Sequence, residues 1–255
     1  MVDHARLERL QRKHCPELYP SRAELLRSLL SGSSGRFDAA LEAAQRAGED
    51  GESALVEAYE HVARARRQFV VEALVWSSAG SAEADALVRR VALHASGAGA
   101  LDLRVIAMRA VTARTPATAR EVLVDILRRD RNGHLKECAL HCLAAVGDAT
   151  AVPEATARLC AQFRRPTSSV EGRITVLAYL GQSVAPRSDQ MDSILQTVRQ
   201  HWAALYPPIE TDWVARHWPD LDPGGPAAGR VRPPSPEVLR RWARSTLMVP
   251  SSTAE

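Results

Sequence analysis

Along most of the chain apolar residues return three or four places apart and seldom alternate with polar ones, a period that predicts helices rather than strands. Four segments of this kind can be laid over one another: QFVVEALVWSSAGSAEADALVRRVAL from Gln68, DLRVIAMRAVTARTPATAREVLVDIL from Asp102, HLKECALHCLAAVGDATAVPEATARL from His134, and VEGRITVLAYLGQSVAPRSDQMDSIL from Val170. Each holds two apolar stripes around a break. Taking Val71, Ile106, Cys138 and Ile174 as equivalent gives a loose period of roughly 34 residues, the length of one helical hairpin. In each first helix a small or apolar residue returns four places later, at Val75, Ala110, Cys142 and Ala178. The second helices repeat a stripe through Leu87, Val88 and Val91, then Val122, Leu123, Ile126 and Leu127, then Leu159, Cys160 and Phe163.

The breaks carry helix-ending and helix-starting chemistry. Ser81 ahead of AEADAL offers an N-cap oxygen, Pro116 after Thr115 suits a first turn, and Gly147-Asp148 precedes Pro153. Upstream, Asp3 to His14 and Arg22 to Leu30 read as helices, the second opened by the capping box of Ser21 and Glu24. GSSG at 32–35 reads as a flexible break, and Arg36 to Ala47 with Glu52 to Ala65 as a further hairpin. Downstream, Pro219 to Pro236 is a Pro/Gly-rich connector, followed by a last helix from Glu237 to Leu247.

A single hairpin of this length cannot hide both of its faces, so stacking on a neighbour is what removes the stripes from water. The expected fold class is therefore all-α, a right-handed α-α superhelix with a helical N-terminal cap and a C-terminal extension. Three regions follow: a cap or degenerate repeat over 1–61, the repeats over 62–206, and the connector with its terminal helix over 207–255. The repeats resemble the HEAT family. AAVGDATAVPEA carries the likeness best, as a Gly-Asp turn followed by a proline-bearing second helix, and the resemblance spans Val62 to Tyr206. Tetratricopeptide arrays share the period, but their Trp-Leu-Gly-Tyr pattern is not visible. HEAT membership implies a fold and leaves activity open, since the family includes scaffolds, transport factors and a few nucleic-acid and catalytic members.

Composition agrees with closely packed helices: 45% of residues are hydrophobic but only 5% aromatic. A net charge of +3 is too near balance to imply a polyanion ligand by itself. MVDHARLERLQRKH lacks the apolar core of a secretion signal, and no apolar run is long enough for a membrane span, so the cytoplasm is the expected location. Cys15, Cys138, Cys142 and Cys160 are then packed thiols rather than cross-links.

His134, Cys138, His141 and Cys142 fall in one helical stripe, which geometry alone permits as a zinc site, although C-x-x-x-C is a weaker signal than C-x-x-C. Cys138 and Cys142 nevertheless occupy repeat positions held elsewhere by Val, Ile and Ala, so the core reading is preferred, and no metal or cofactor is expected. His-Glu pairs of the repeat family's metal-dependent hydroxylases, HExxH, a glycine-rich phosphate loop and a nucleophile elbow are all missing. No catalytic residue is assigned.

Two surfaces remain as candidates. Arg128, Arg129, Arg164, Arg165 and Arg199 end successive second helices, with Arg131 nearby. There they serve the helix dipole or line up as a basic ladder, which Arg64, Arg66 and Arg67 extend. Trp213, Trp218 and Trp242 concentrate in the last third, as a seal over the terminal stripe or as anchors for a partner. The expectation is a non-catalytic binding scaffold or adaptor facing a protein partner. The alternative is a nucleic-acid binder using the arginine edge. For an alkylpurine DNA glycosylase-like version of it the sequence offers only Trp76, Trp202 and Asp125, with no motif behind them.

Overall fold

The structure, a computed structural model, describes residues 20–77, 79–164, 170–206 and 208–218. The helix expected at Asp3 to His14, the connector, the terminal helix with Trp242, and Arg165 lie outside the described residues. All regular structure among the described residues is helical. The chain divides into two compact units, Met1–Val146 and Gly147–Glu255.

The first unit holds α1 (Arg22–Leu29), α2 (Ser34–Arg46), α3 (Glu49–His61), α4 (Arg64–Trp76), α5 (Ala82–His94), α6 (Ala100–Arg114), α7 (Pro116–Arg129) and α8 (Gly133–Ala145). Helices α2, α4, α6 and α8 pack in succession, as do α3, α5 and α7, while α1 lies on α2 and α3. This is the ladder that stacked hairpins generate, each unit hiding its stripe on the next. The second unit holds α9 (Val152–Phe163), α10 (Val170–Ser183), α11 (Asp189–Gln200), a 3₁₀ turn (Trp202–Ala204) and α12 (Ile209–His217), with α10 against α9 and α12.

Local chemistry sets the boundaries. The capping box of α1 is complete: Ser21 N–H donates to Glu24 Oε2 at 2.9 Å and Glu24 N–H to Ser21 Oγ at 3.4 Å. Ser81 Oγ accepts from Ala84 N–H at 3.3 Å, Asn132 Oδ1 from Leu135 N–H at 3.1 Å, and Ser188 Oγ from Met191 N–H at 3.1 Å. Pro116 opens α7, where its missing N–H costs nothing. After α8, Gly147 takes φ 70°, a left-handed conformation that glycine adopts without a Cβ penalty. Two expectations shift here. Within GSSG, Ser33 caps α2 and Ser34 is already helical, so the segment is a tight turn rather than a flexible break. The helix expected over Glu52 to Ala65 runs instead from Glu49 to His61, and α4 begins at Arg64.

The buried register of the first helices also differs from the sequence alignment. Val70, Val71, Ala73 and Leu74 in α4 repeat as Ala107, Met108, Ala110 and Val111 in α6, Ala139, Leu140, Cys142 and Leu143 in α8, and Val176, Leu177, Tyr179 and Leu180 in α10. The spacings are 37, 32 and 37 residues, because the turns between helices differ in length. Val71 thus corresponds to Met108, Leu140 and Leu177; Ile106 and Cys138 are half-buried, and Ala178 is exposed. Second helices keep the expected register, with Leu87, Val88 and Val91 matching Val122, Leu123 and Ile126, and Leu159 and Phe163 buried in α9. Each fully buried Leu or Val contributes roughly 1.5–3 kcal/mol, well beyond what helix propensity supplies to hairpins of this length.

Candidate functional site

Inside the first unit an ionic network joins three hairpins. Glu52 projects from α3 along the same stripe as Leu55 and Tyr59, and is fully buried. Arg114, at the end of α6, meets it through Nη1–Oε1 at 2.7 Å and Nη2–Oε2 at 3.0 Å, and reaches Asp85 through Nε–Oδ1 at 2.9 Å. Its Nη1 also donates to the Leu74 carbonyl at 2.9 Å. Ser77 Oγ, Gly80 N–H and Ser81 N–H complete the shell around Glu52 at 2.6, 3.1 and 2.7 Å. Burial works against ionising Glu52, but Arg114, Ser77 and Ser81 outweigh it and hold its pKa down at about 2. A carboxylate so fully engaged has no free lone pair for substrate, so the network fixes the stack of hairpins.

In the second unit Arg173 and Glu210 form a similar two-pronged pair at 2.7 and 2.8 Å, with Tyr206 N–H donating to the same carboxylate at 2.6 Å. Burial pushes the Glu210 carboxyl upward against the pull of Arg173 and that N–H. Tyr179 O–H donates to the Asp148 carbonyl at 2.9 Å and accepts from Ala151 N–H at 3.1 Å, which ties α10 to the Gly-Asp turn.

Cys138 and Cys142 pack within α8, while Cys15 lies outside the described residues. Burial pushes the Cys138 thiol up to about 12, helped by Cys142 and Glu137, and raises Cys142 as well. His134 Nε2 lies 3.7 Å from Cys138 Sγ, while His141 is exposed. Among the described residues no three His, Cys, Asp or Glu side chains converge to hold a metal ion.

The sequence candidates fall into two groups. Arg128, Arg129 and Arg131 are exposed at the end of α7 in the first unit, with Arg129 Nε 2.8 Å from Asp125 Oδ1. Arg164 and Arg199 are exposed in the second unit, at the ends of α9 and α11. Trp213 and Trp218 are half-buried. The Trp213 ring stacks on His217 at 4.0 Å and meets Trp218 edge-on at 5.5 Å. Trp218 lies so close over Gly181 that a Cβ there would stand 2.9 Å from its ring. Asp125 is engaged with Arg129, and Trp202 sits half-buried in the 3₁₀ turn.

Sequence reasoning passed over a different surface. On α4, Trp76 is 65% exposed and Phe69 44% exposed, two turns apart and therefore on one face. Glu72 stands between them, also exposed. In the buried register Phe69 corresponds to half-buried Ile106 on α6 and Cys138 on α8, and Trp76 to exposed Ala113 and Ala145. Glu72 corresponds to exposed Arg109 and His141, and the Arg109 charge acts on Cys138, His141 and Cys142. Because α4, α6 and α8 pack in succession, their uncovered sides form one continuous face with two aromatic residues at one end. The two-turn spacing of Phe69 and Trp76 was the available signal.

No helix among the described residues is long and apolar enough to cross a membrane. Comparisons with models of protein families, with curated proteins and with solved structures find no match for this chain.

Proposed function

We propose that this chain is a non-catalytic binding scaffold of the HEAT-like α-solenoid type, and that it presents the face of α4, α6 and α8 to a protein partner. Exposure of Trp76 and Phe69 on one side of a packed helix carries the reading. Scattered exposed apolar residues are ordinary, but two large aromatics on one stripe of a packed helix are the usual form of an interface anchor. Rigid helices lower the conformational entropy lost on association. A cytoplasmic location belongs to the same reading. Affinity capture with the parent chain and with a Phe69→Ser, Trp76→Ser variant tests it. Nucleic-acid binding through Arg128, Arg129, Arg131, Arg164 and Arg199 is the competing outcome, visible as retention on heparin that salt reverses.

A further inference from the structure

We propose that a cleft in the first unit, between the carboxyl ends of α3 and α5 and the amino end of α4, binds a phosphate monoester group. The cleft has a volume of about 290 Å³ and is lined by Tyr59, Glu60, Arg64, Arg67, Arg90 and His94, among others. Three guanidinium groups and one carboxylate therefore line a space of small-ligand size.

Each arginine is held in place without being consumed. Arg67 lies over the Tyr59 ring, 5.0 Å from its centroid, while its buried Nε donates to nothing. Arg64 donates to the Ser96 carbonyl, an approach that Gly97 permits: with φ 87° and no side chain, it leaves the room that a Cβ would take from the guanidinium. Arg90 reaches Glu60 at the exposed rim. These contacts use a few of the five donors that each guanidinium carries.

The charge balance selects the ligand. The carboxyl ends of α3 and α5 contribute about −0.5 each, the amino ends of α4 and of α6, whose first turn reaches the cleft at Leu103, about +0.5 each, and Glu60 a full negative charge. Against three arginines this leaves an excess near about +2. A carboxylate would leave part of that excess in place. A phosphate monoester carries about −1.5 to −2 near neutral pH and has three acceptor oxygens for guanidinium donors. The local sequence points the same way. Arg64 and Arg67 share the first turn of α4, which has no acidic residue there and no side-chain cap, while Arg66 turns away to the Ser31 and Gly32 carbonyls. Cations at a helix amino end are unfavourable by themselves, and an anion between them reverses the sign.

The test is titration of the full chain with inorganic phosphate and with phenyl phosphate at constant ionic strength, followed by amide chemical shifts. Expected is saturable binding, with shifts centred on the cleft residues. Arg67→Gln should weaken it about tenfold or more, Glu60→Gln should tighten it about threefold by removing the competing carboxylate, and Arg128→Gln should leave it unchanged. Glu60→Gln decides the matter even if Arg67→Gln folds poorly. Linear shifts that matched sodium chloride reproduces, or no tightening in Glu60→Gln, would overturn the site. A short phosphoserine peptide binding more tightly than phenyl phosphate assigns the group to a phosphorylated protein segment. Equal affinity assigns it to a small ester, and either result upholds the cleft.

Discussion

Arg114 and Glu52, on helices three elements apart, meet in the interior of the first unit as a two-pronged pair at 2.7 and 3.0 Å. The guanidinium also binds Asp85 and the Leu74 carbonyl, and the carboxylate binds the turn between α4 and α5, so one pair stitches three successive hairpins. Breaking it leaves a buried charge without its partner. Arg114→Ala or Glu52→Ala should each destabilise the chain by about 3–5 kcal/mol, read as a lower midpoint in urea unfolding. A loss below about 1 kcal/mol for both would mean that packing alone holds the hairpins.

The same pair sets an acid response. Glu52 titrates near 4.5 ordinarily and near about 2 when folded, so its folded value is depressed. Its contribution is therefore complete above pH 4.5 and lost as pH falls towards about 2, amounting to about 3 kcal/mol across that window. Glu52→Gln should flatten the fall in melting temperature over this range, though starting from a lower plateau. An unchanged slope would show that other carboxylates carry the response.

Much of the ladder was legible because caps and stripes are local. Ser21 with Glu24, Ser81, and Thr115 with Pro116 marked real boundaries, and the second-helix stripes kept their register. The first-helix register slips by two or three residues in α6, α8 and α10, because turns of unequal length separate the helices: Ile106, Cys138 and Ile174 stand where Met108, Leu140 and Leu177 are buried. The ionic network was missed for a related reason: its members are far apart in sequence and only the stacking joins them. A trace existed in the pattern, since Glu52 shares a stripe with Leu55 and Tyr59, and Arg114 with Ala107 and Val111. The aromatic face on α4 is hard to read from sequence because Phe69 and Trp76 flank the buried positions Val70, Val71, Ala73 and Leu74, and only the packing decides which stripe stays uncovered.

Gly51 offers a test of how closely α2 and α3 approach. A Cβ there would stand 1.9 Å from the Ala44 carbonyl oxygen, a backbone atom that cannot swing aside. Alanine is the better helix former by about 1 kcal/mol, yet the clash should win, and Gly51→Ala should lower stability by about 2 kcal/mol or more. A stabilised variant in urea unfolding would refute this packing.

The cysteines give a chemical readout. With the Cys138 thiol raised from 9.0 to about 12, its thiolate fraction near neutral pH falls about a thousandfold. Iodoacetamide labelling followed by mass spectrometry should therefore modify Cys138 and the buried Cys142 far more slowly in the folded chain than in urea. Equal rates would place both thiols outside the packed interior.

The most direct measurement of the scaffold reading is quantitative capture of binding partners by the parent chain, by Phe69→Ser with Trp76→Ser, and by Arg128→Gln with Arg129→Gln. Phe69 is 44% and Trp76 65% exposed, so the double replacement should cost on the order of 1–2 kcal/mol, and urea unfolding of each variant alongside the capture keeps binding separable from folding. The account predicts one protein, captured in fixed proportion and resistant to nuclease, that the aromatic variant loses and the arginine variant keeps. Capture unaffected by the aromatic changes, or bound material that is nucleic acid and disappears with the arginines, would contradict it.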